Sequence, residues 1–139
     1  MSLWPRVALV CILTAVGREV AAQTAKPKTT RSGVYSREQA DRGQGVYLGM
    51  CKSCHTPESH TATAFTAKWN GKPLSALYEY IRDQMPKNEP GSLSAEEYAD
   101  VLAYVLKLNR MPAGSADLPP EAAMKTIRIE TTIPVRKSP

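Results

Sequence analysis

Cysteine, histidine and long apolar runs are all scarce in this 139-residue chain, and each scarcity excludes something. There are three cysteines, Cys11, Cys51 and Cys54, and the last two lie three positions apart, so no disulfide framework can staple a small domain together. Histidine occurs twice, as His55 and His60, and phenylalanine once, as Phe65. The longest apolar stretch, from Val7 to Val16, is about half of the roughly 20 residues that a membrane-spanning helix needs. A surplus of one charge is also missing from the body of the chain. The whole carries +5, yet Gly33 to Leu118 holds nine basic and ten acidic residues. The basic excess sits at the ends, in Lys26, Lys28 and Arg31 and again in Lys125, Arg128, Arg136 and Lys137. Nucleic-acid recognition needs basic residues gathered on a structured face, so nucleic acid is excluded as a partner. The length suits one domain.

The first stretch has the layout of a secretory signal peptide: Arg6, the apolar run, then the small residues Val20-Ala21-Ala22. Residues 1–22 are therefore expected to be removed, with cleavage after Ala22 and export to the periplasm. Cys11 lies inside the apolar run behind Leu9 and Val10, without the small neighbour that a lipid-attachment site wants, and leaves with the signal. The mature chain keeps 16 basic and 12 acidic residues, and no membrane-spanning helix remains.

Residues 23–33 are polar and basic without apolar periodicity and read as a flexible lead-in. Ser36 opens a helix, with Gln39 placed to reach back as a capping box, and Ala40, Gly43, Tyr47 and Met50 follow at three- and four-residue steps. Gly43 and Gly45 are poor helix residues, and a glycine on the apolar stripe predicts a close crossing by another helix. A second capping box, Ser94-Ala-Glu-Glu97, opens the clearest helix, with Tyr98, Val101, Leu102, Val105 and Leu108 on one stripe up to about Asn109. Between them Pro73 suits a first helical turn, and Leu74, Leu77, Tyr78 and Ile81 continue at helical spacing until Pro86. Cys54 to Gly71 and Met85 to Leu93 lack such a period and read as loops that wall a pocket. The alternation from Lys125 to Ile133 suits a short strand or an extended arm lying over the domain. The fold class is all-α, with three main helices, a domain over 34–114 and a C-terminal tail over 115–139. Three helices of about 10–16 residues make a thin core, and domains this small often need a metal or cofactor to complete them.

The motif Cys51-Lys-Ser-Cys54-His55 supplies one. Two thiols three apart at a helix end can each bond a vinyl group of one porphyrin, and the next residue brings an imidazole to the iron, the pattern of a covalent haem c site. A thioredoxin-like dithiol and half of a zinc site also use Cys-x-x-Cys. The first expects alternating strands and helices; the second needs four ligands, and outside the motif only His60 remains as an ordinary nitrogen or sulfur donor.

With that motif, Gly43 and Tyr47 before it, Met85-Pro86 and Pro90-Gly91-Ser-Leu93 after it, and Glu97 to Leu106 in the last helix, the chain resembles the class I c-type cytochromes from Ser36 to about Ala113. It is similar in particular to the monohaem cytochromes that accompany bacterial periplasmic dehydrogenases. The resemblance implies the cytochrome c fold, with the first and last helices crossing where Gly43 and Tyr47 meet Val101 and Tyr104.

The second iron ligand decides the chemistry, because a bound methionine raises the potential and fills the coordination sphere. Met85 ends the middle helix before Pro86 and matches the family's ligand position, although a methionine there also suits simple core packing. Met111 follows the last helix, Met50 adjoins Cys51, and Met124 lies in the tail. His60 would give a bis-histidine haem of low potential, but stands only five residues from His55. Trp69 and Tyr80 suit packing on the porphyrin or donation to a propionate, and equally a plain core. Lys68, Lys72 and Arg82 are candidates for pairing with propionates or guiding a partner, or form a solvated face. The loop from Thr56 to Ala67 is shorter than in many relatives.

Three functions compete. The first is a non-enzymatic carrier of single electrons from a periplasmic donor dehydrogenase to an oxidase or another cytochrome. The second is a haem enzyme or ligand-binding sensor with an open sixth site, which needs a polar distal pocket. The third is the electron-transfer subunit of a dehydrogenase, with the tail from Ser115 to Pro139 as its docking arm.

Overall fold

The structure, a computed structural model, describes residues 28–132. The expected signal peptide, its cleavage after Ala22, Cys11 and the two ends of the chain lie outside the described residues.

Ser36 starts helix α1 (Arg37–Met50) by accepting the Gln39 amide at 3.0 Å. Gln39 does not complete the expected box: its side-chain oxygen accepts the amide of Leu118 at 2.7 Å, so a buried carboxamide ties α1 to the segment after the last long helix. Helix α4 (Ala95–Leu108) has the expected box in full, with the Glu97 amide donating to Ser94 Oγ and the Ser94 amide to Glu97 Oε2. The two helices cross at Gly43, where a Cβ would fall on the carbonyl of Asp100. Only a residue without a side chain lets the backbones approach this closely. Tyr47, Val101 and Tyr104 pack together beside the crossing, the two tyrosine rings 5.3 Å apart. Arg42 fastens it from outside, with Nε and Nη2 each 3.0 Å from the buried Asp100 carboxylate and Nη2 2.7 Å from Asp117. The Ser36 hydroxyl, with Arg42 second, holds Asp117 below the usual carboxylate range.

Helix α3 (Leu74–Gln84) lies where expected and closes the core through Leu74, Leu77 and Tyr78. The fold departs from three helices and loops in two places. Ala62–Trp69 is a helix, α2, preceded by a 3₁₀ turn at Pro57–His60, where a loop was expected. Phe65 and Trp69, four apart, give α2 one buried edge, and that packing overrides its threonine content. Glu121–Met124 forms a short helix α5 in the tail.

The tail contains no strand among the described residues, only isolated pairings. Arg128 pairs with Thr29 on one side and Pro73 on the other. The Gly71 and Leu74 amides donate to the carbonyls of Ile129 and Ile127, at 2.7 and 2.8 Å. Met124, Ile127 and Ile129 are buried in the common core. Residues 28–33, expected to be flexible, are held by the same arm: Thr30 is fully buried and its amide donates to Arg128 at 2.9 Å. Arg31 spans from the Arg110 carbonyl to that of Thr131. The lead-in lacks apolar periodicity because it is held by backbone pairing with a segment about 100 residues away, which leaves no local pattern.

Candidate functional site

Where α1 stops, the chain winds on in tight turns. The Cys51 and Lys52 amides donate to the Tyr47 carbonyl, and those of Cys54 and His55 to the Cys51 carbonyl, at 2.9 to 3.1 Å. The Tyr47 hydroxyl donates to the His55 carbonyl at 3.3 Å. The coil brings Cys51, Cys54 and His55 to the wall of one cavity of about 650 Å³. Cys51 is half-buried there and Cys54 exposed. Burial pushes the Tyr47 phenol up to about 12, so it stays protonated and able to donate at neutral pH.

Met85 reaches the same wall from a different element. It ends α3 in an extended conformation, as a residue before proline should, with its amide donating to the Ile81 carbonyl at 3.0 Å. Its carbonyl accepts the Tyr98 hydroxyl at 2.9 Å, and the same hydroxyl accepts the Leu93 amide at 3.5 Å. Tyr98 thereby pins both ends of the segment that carries Met85 and Pro86.

The other candidates sort by place. Met50 is on the cavity wall beside Cys51, whereas Met111 and Met124 are buried elsewhere in the core. His60 is on the wall too, held by Asn109, whose Nδ2 donates to the His60 carbonyl at 2.8 Å. Its ring centroid is 4.9 Å from that of His55, too close for an iron atom and its macrocycle to lie between them. Burial first, and the positive charge of its neighbours second, lowers the His60 imidazole below its ordinary range.

Trp69 and Tyr80 both line the cavity, edge to face with centroids 5.4 Å apart. Lys68 also reaches the wall, its Nζ 3.7 Å from the Tyr80 ring centroid. Lys72 lies over Trp69 but off the wall. Arg82 is not at the site: its guanidinium is bound to Asp83 at 2.7 Å and to Glu121 of α5 at 2.6 Å. Sequence reasoning missed Phe65, Leu77 and Val105 as wall residues, and Tyr98 and Asn109 as holders. The spacing of Phe65 and Trp69 carried a signal for the first of these. The partners of the Tyr98 hydroxyl and the Asn109 carboxamide left none.

The wall fits a haem. Most of it is apolar or aromatic, its volume lies within the roughly 300–1,000 Å³ of cofactor pockets, and two thiols, an imidazole and a thioether meet there. Trp69, 8% exposed, presents its ring to the wall. None of the described helices is long and apolar enough to cross a membrane.

A model of the family described as "Cytochrome C oxidase, cbb3-type, subunit III" matches residues 38–105. That span runs from α1 to the second half of α4 and includes every wall residue named above. No significant match to a curated protein or to a solved structure was found. With the all-α fold, the helix crossing at Gly43 and the Cys51/Cys54 pair beside His55, the match indicates a c-type cytochrome domain, consistent with a class I monohaem cytochrome, and such a domain implies covalently bound haem c.

Proposed function

We propose that this protein is an exported, periplasmic monohaem electron carrier in which Cys51 and Cys54 hold the haem by thioethers and His55 and Met85 ligate its iron. The observation that carries the reading is the meeting of these four side chains on the wall of one apolar cavity. When bound, the haem supplies a one-electron ferric/ferrous couple. The chain does the rest. Tyr47 and the turns after α1 fix His55, and Tyr98 fixes the backbone of Met85. Phe65, Leu77, Val101 and Val105 exclude water from the interior and so favour the less charged, reduced form. Tyr80 and Met50, exposed and on the cavity wall, leave an edge open to a partner.

The donor is a periplasmic dehydrogenase and the acceptor an oxidase or another cytochrome, and the matched family's description as an oxidase subunit supports an oxidase. The tail favours a carrier over a permanent subunit: Met124, Ile127 and Ile129 are used within the chain's own core, leaving the described part of the tail no free apolar face for docking.

The test is ligand exclusion. The mature protein, made in a periplasm that attaches haem, should titrate as a single one-electron couple, and its ferrous spectrum should be unchanged by carbon monoxide. Rapid carbon monoxide binding would overturn the carrier in favour of a haem enzyme or sensor with an open sixth site.

A further inference from the structure

The cavity wall is uneven in charge. Lys68 and Lys87 are its only fully charged residues among those described, and no carboxylate lines it. Haem brings two carboxylates, on the side of the ring away from the vinyl positions that cysteines bond. A carboxylate entering an apolar site goes where a cation and free donors meet it. Lys68 provides the fixed cation. Its Nζ lies 3.7 Å from the Tyr80 centroid and 4.9 Å from that of Trp69, a double cation–π contact that holds a long side chain in one place. It makes no ion pair with a carboxylate among the described residues. Next to it stands the Trp69 ring, on the same wall. Lys87 has no comparable aromatic support.

We infer that Lys68, clamped by Tyr80 and Trp69, receives a haem carboxylate and thereby acts as a positioning residue that raises the reduction potential. The inference rests on the proposed haem attachment. Its physical basis is that the oxidised haem carries one more positive charge than the reduced haem, so a nearby cation disfavours the ferric state. The same cation keeps the carboxylate ionised.

The test uses the full chain with haem attached, in four forms: wild type, Lys68→Met, Lys68→Arg and Lys72→Met. Midpoint potentials are read across pH at low and high salt. Lys68→Met should keep the wild-type visible spectrum but titrate at a lower potential, so that at the wild-type midpoint the ferric-to-ferrous ratio rises several-fold. Its potential should also fall with rising pH over a range where the wild type is flat, as a carboxyl that has lost its cation ionises later. Lys68→Arg should restore the wild-type value. Lys72→Met, which removes a charge of the same sign from a position off the wall, should move the potential less, and its shift should fade in high salt while that of Lys68→Met persists. A Lys68→Met potential equal to the wild type, or a shift no larger and no more salt-resistant than that of Lys72→Met, would overturn the inference. Absence of a covalent haem spectrum in the wild type would instead sink the attachment on which it rests.

Discussion

The double variant Cys51→Ala/Cys54→Ala is expected to lose its haem on denaturation and, once stripped, to lose cooperative unfolding. The first part follows from chemistry, since without the thiols only the iron ligands and packing retain the group. The second follows from volume. An apolar cavity of about 650 Å³ left without its occupant takes packing partners from much of a thin core. The whole stability of a typical domain is only about 5–15 kcal/mol. Water entering through the open mouth reduces the cost without removing it, because Tyr47, Phe65, Leu77, Val101 and Val105 offer it few partners. Haem staining after denaturing electrophoresis and a circular-dichroism melt check the two parts. A haem-free variant that melts cooperatively at the wild-type midpoint would show that the cavity walls support themselves.

Gly43→Ala should destabilise the holoprotein by about 1–3 kcal/mol or more, the range for overpacking, although glycine-to-alanine changes inside helices usually help. The new Cβ falls on the Asp100 carbonyl, and backbone cannot rotate away as a side chain can. α1 and α4 must move apart, loosening Tyr47 against Val101 and Tyr104 and the Arg42 clasp on Asp100. Gly45, two residues along the same helix, is the control. Nothing lies within 4 Å of its added Cβ, so Gly45→Ala should stabilise by roughly 0.5–1 kcal/mol. Denaturant midpoints at unchanged slope read both. Equal shifts in the two variants would mean that the helices do not cross at Gly43.

The contrast between these two glycines shows what the sequence carried. Gly43 on an apolar stripe, with a matching stripe from Tyr98 to Leu108, announced a crossing and both helices that make it. The five-residue haem motif announced the chemistry, because its spacing is set by the cofactor and is independent of the rest of the fold. What escaped was held by distant partners. Helix α2 has threonines at Thr63 and Thr66 and a buried edge of only two side chains, so its local pattern is weak and packing decides it. Residues 28–33 and the arm after α5 are ordered by each other and by the turn between α2 and α3, through backbone hydrogen bonds that leave no mark on composition. Arg82 looked available for a propionate because helical spacing gives a side chain's direction but not its neighbour. Once α5 forms, Glu121 takes it. Lys68, one residue before Trp69, carried no distinguishing signal until α2 and α3 brought it over Tyr80.

The central claim, that His55 and Met85 ligate one covalent haem, is tested most directly by the ferric optical spectra of wild type, Met85→Ala and Met50→Ala. Among the described residues Met50 and Met85 are the two methionines on the cavity wall, which makes the comparison decisive. The weak red band of methionine–iron ligation should be present in wild type and Met50→Ala and absent in Met85→Ala, whose ferrous form should then bind carbon monoxide. A band that survives Met85→Ala, or disappears with Met50→Ala, would contradict the assignment.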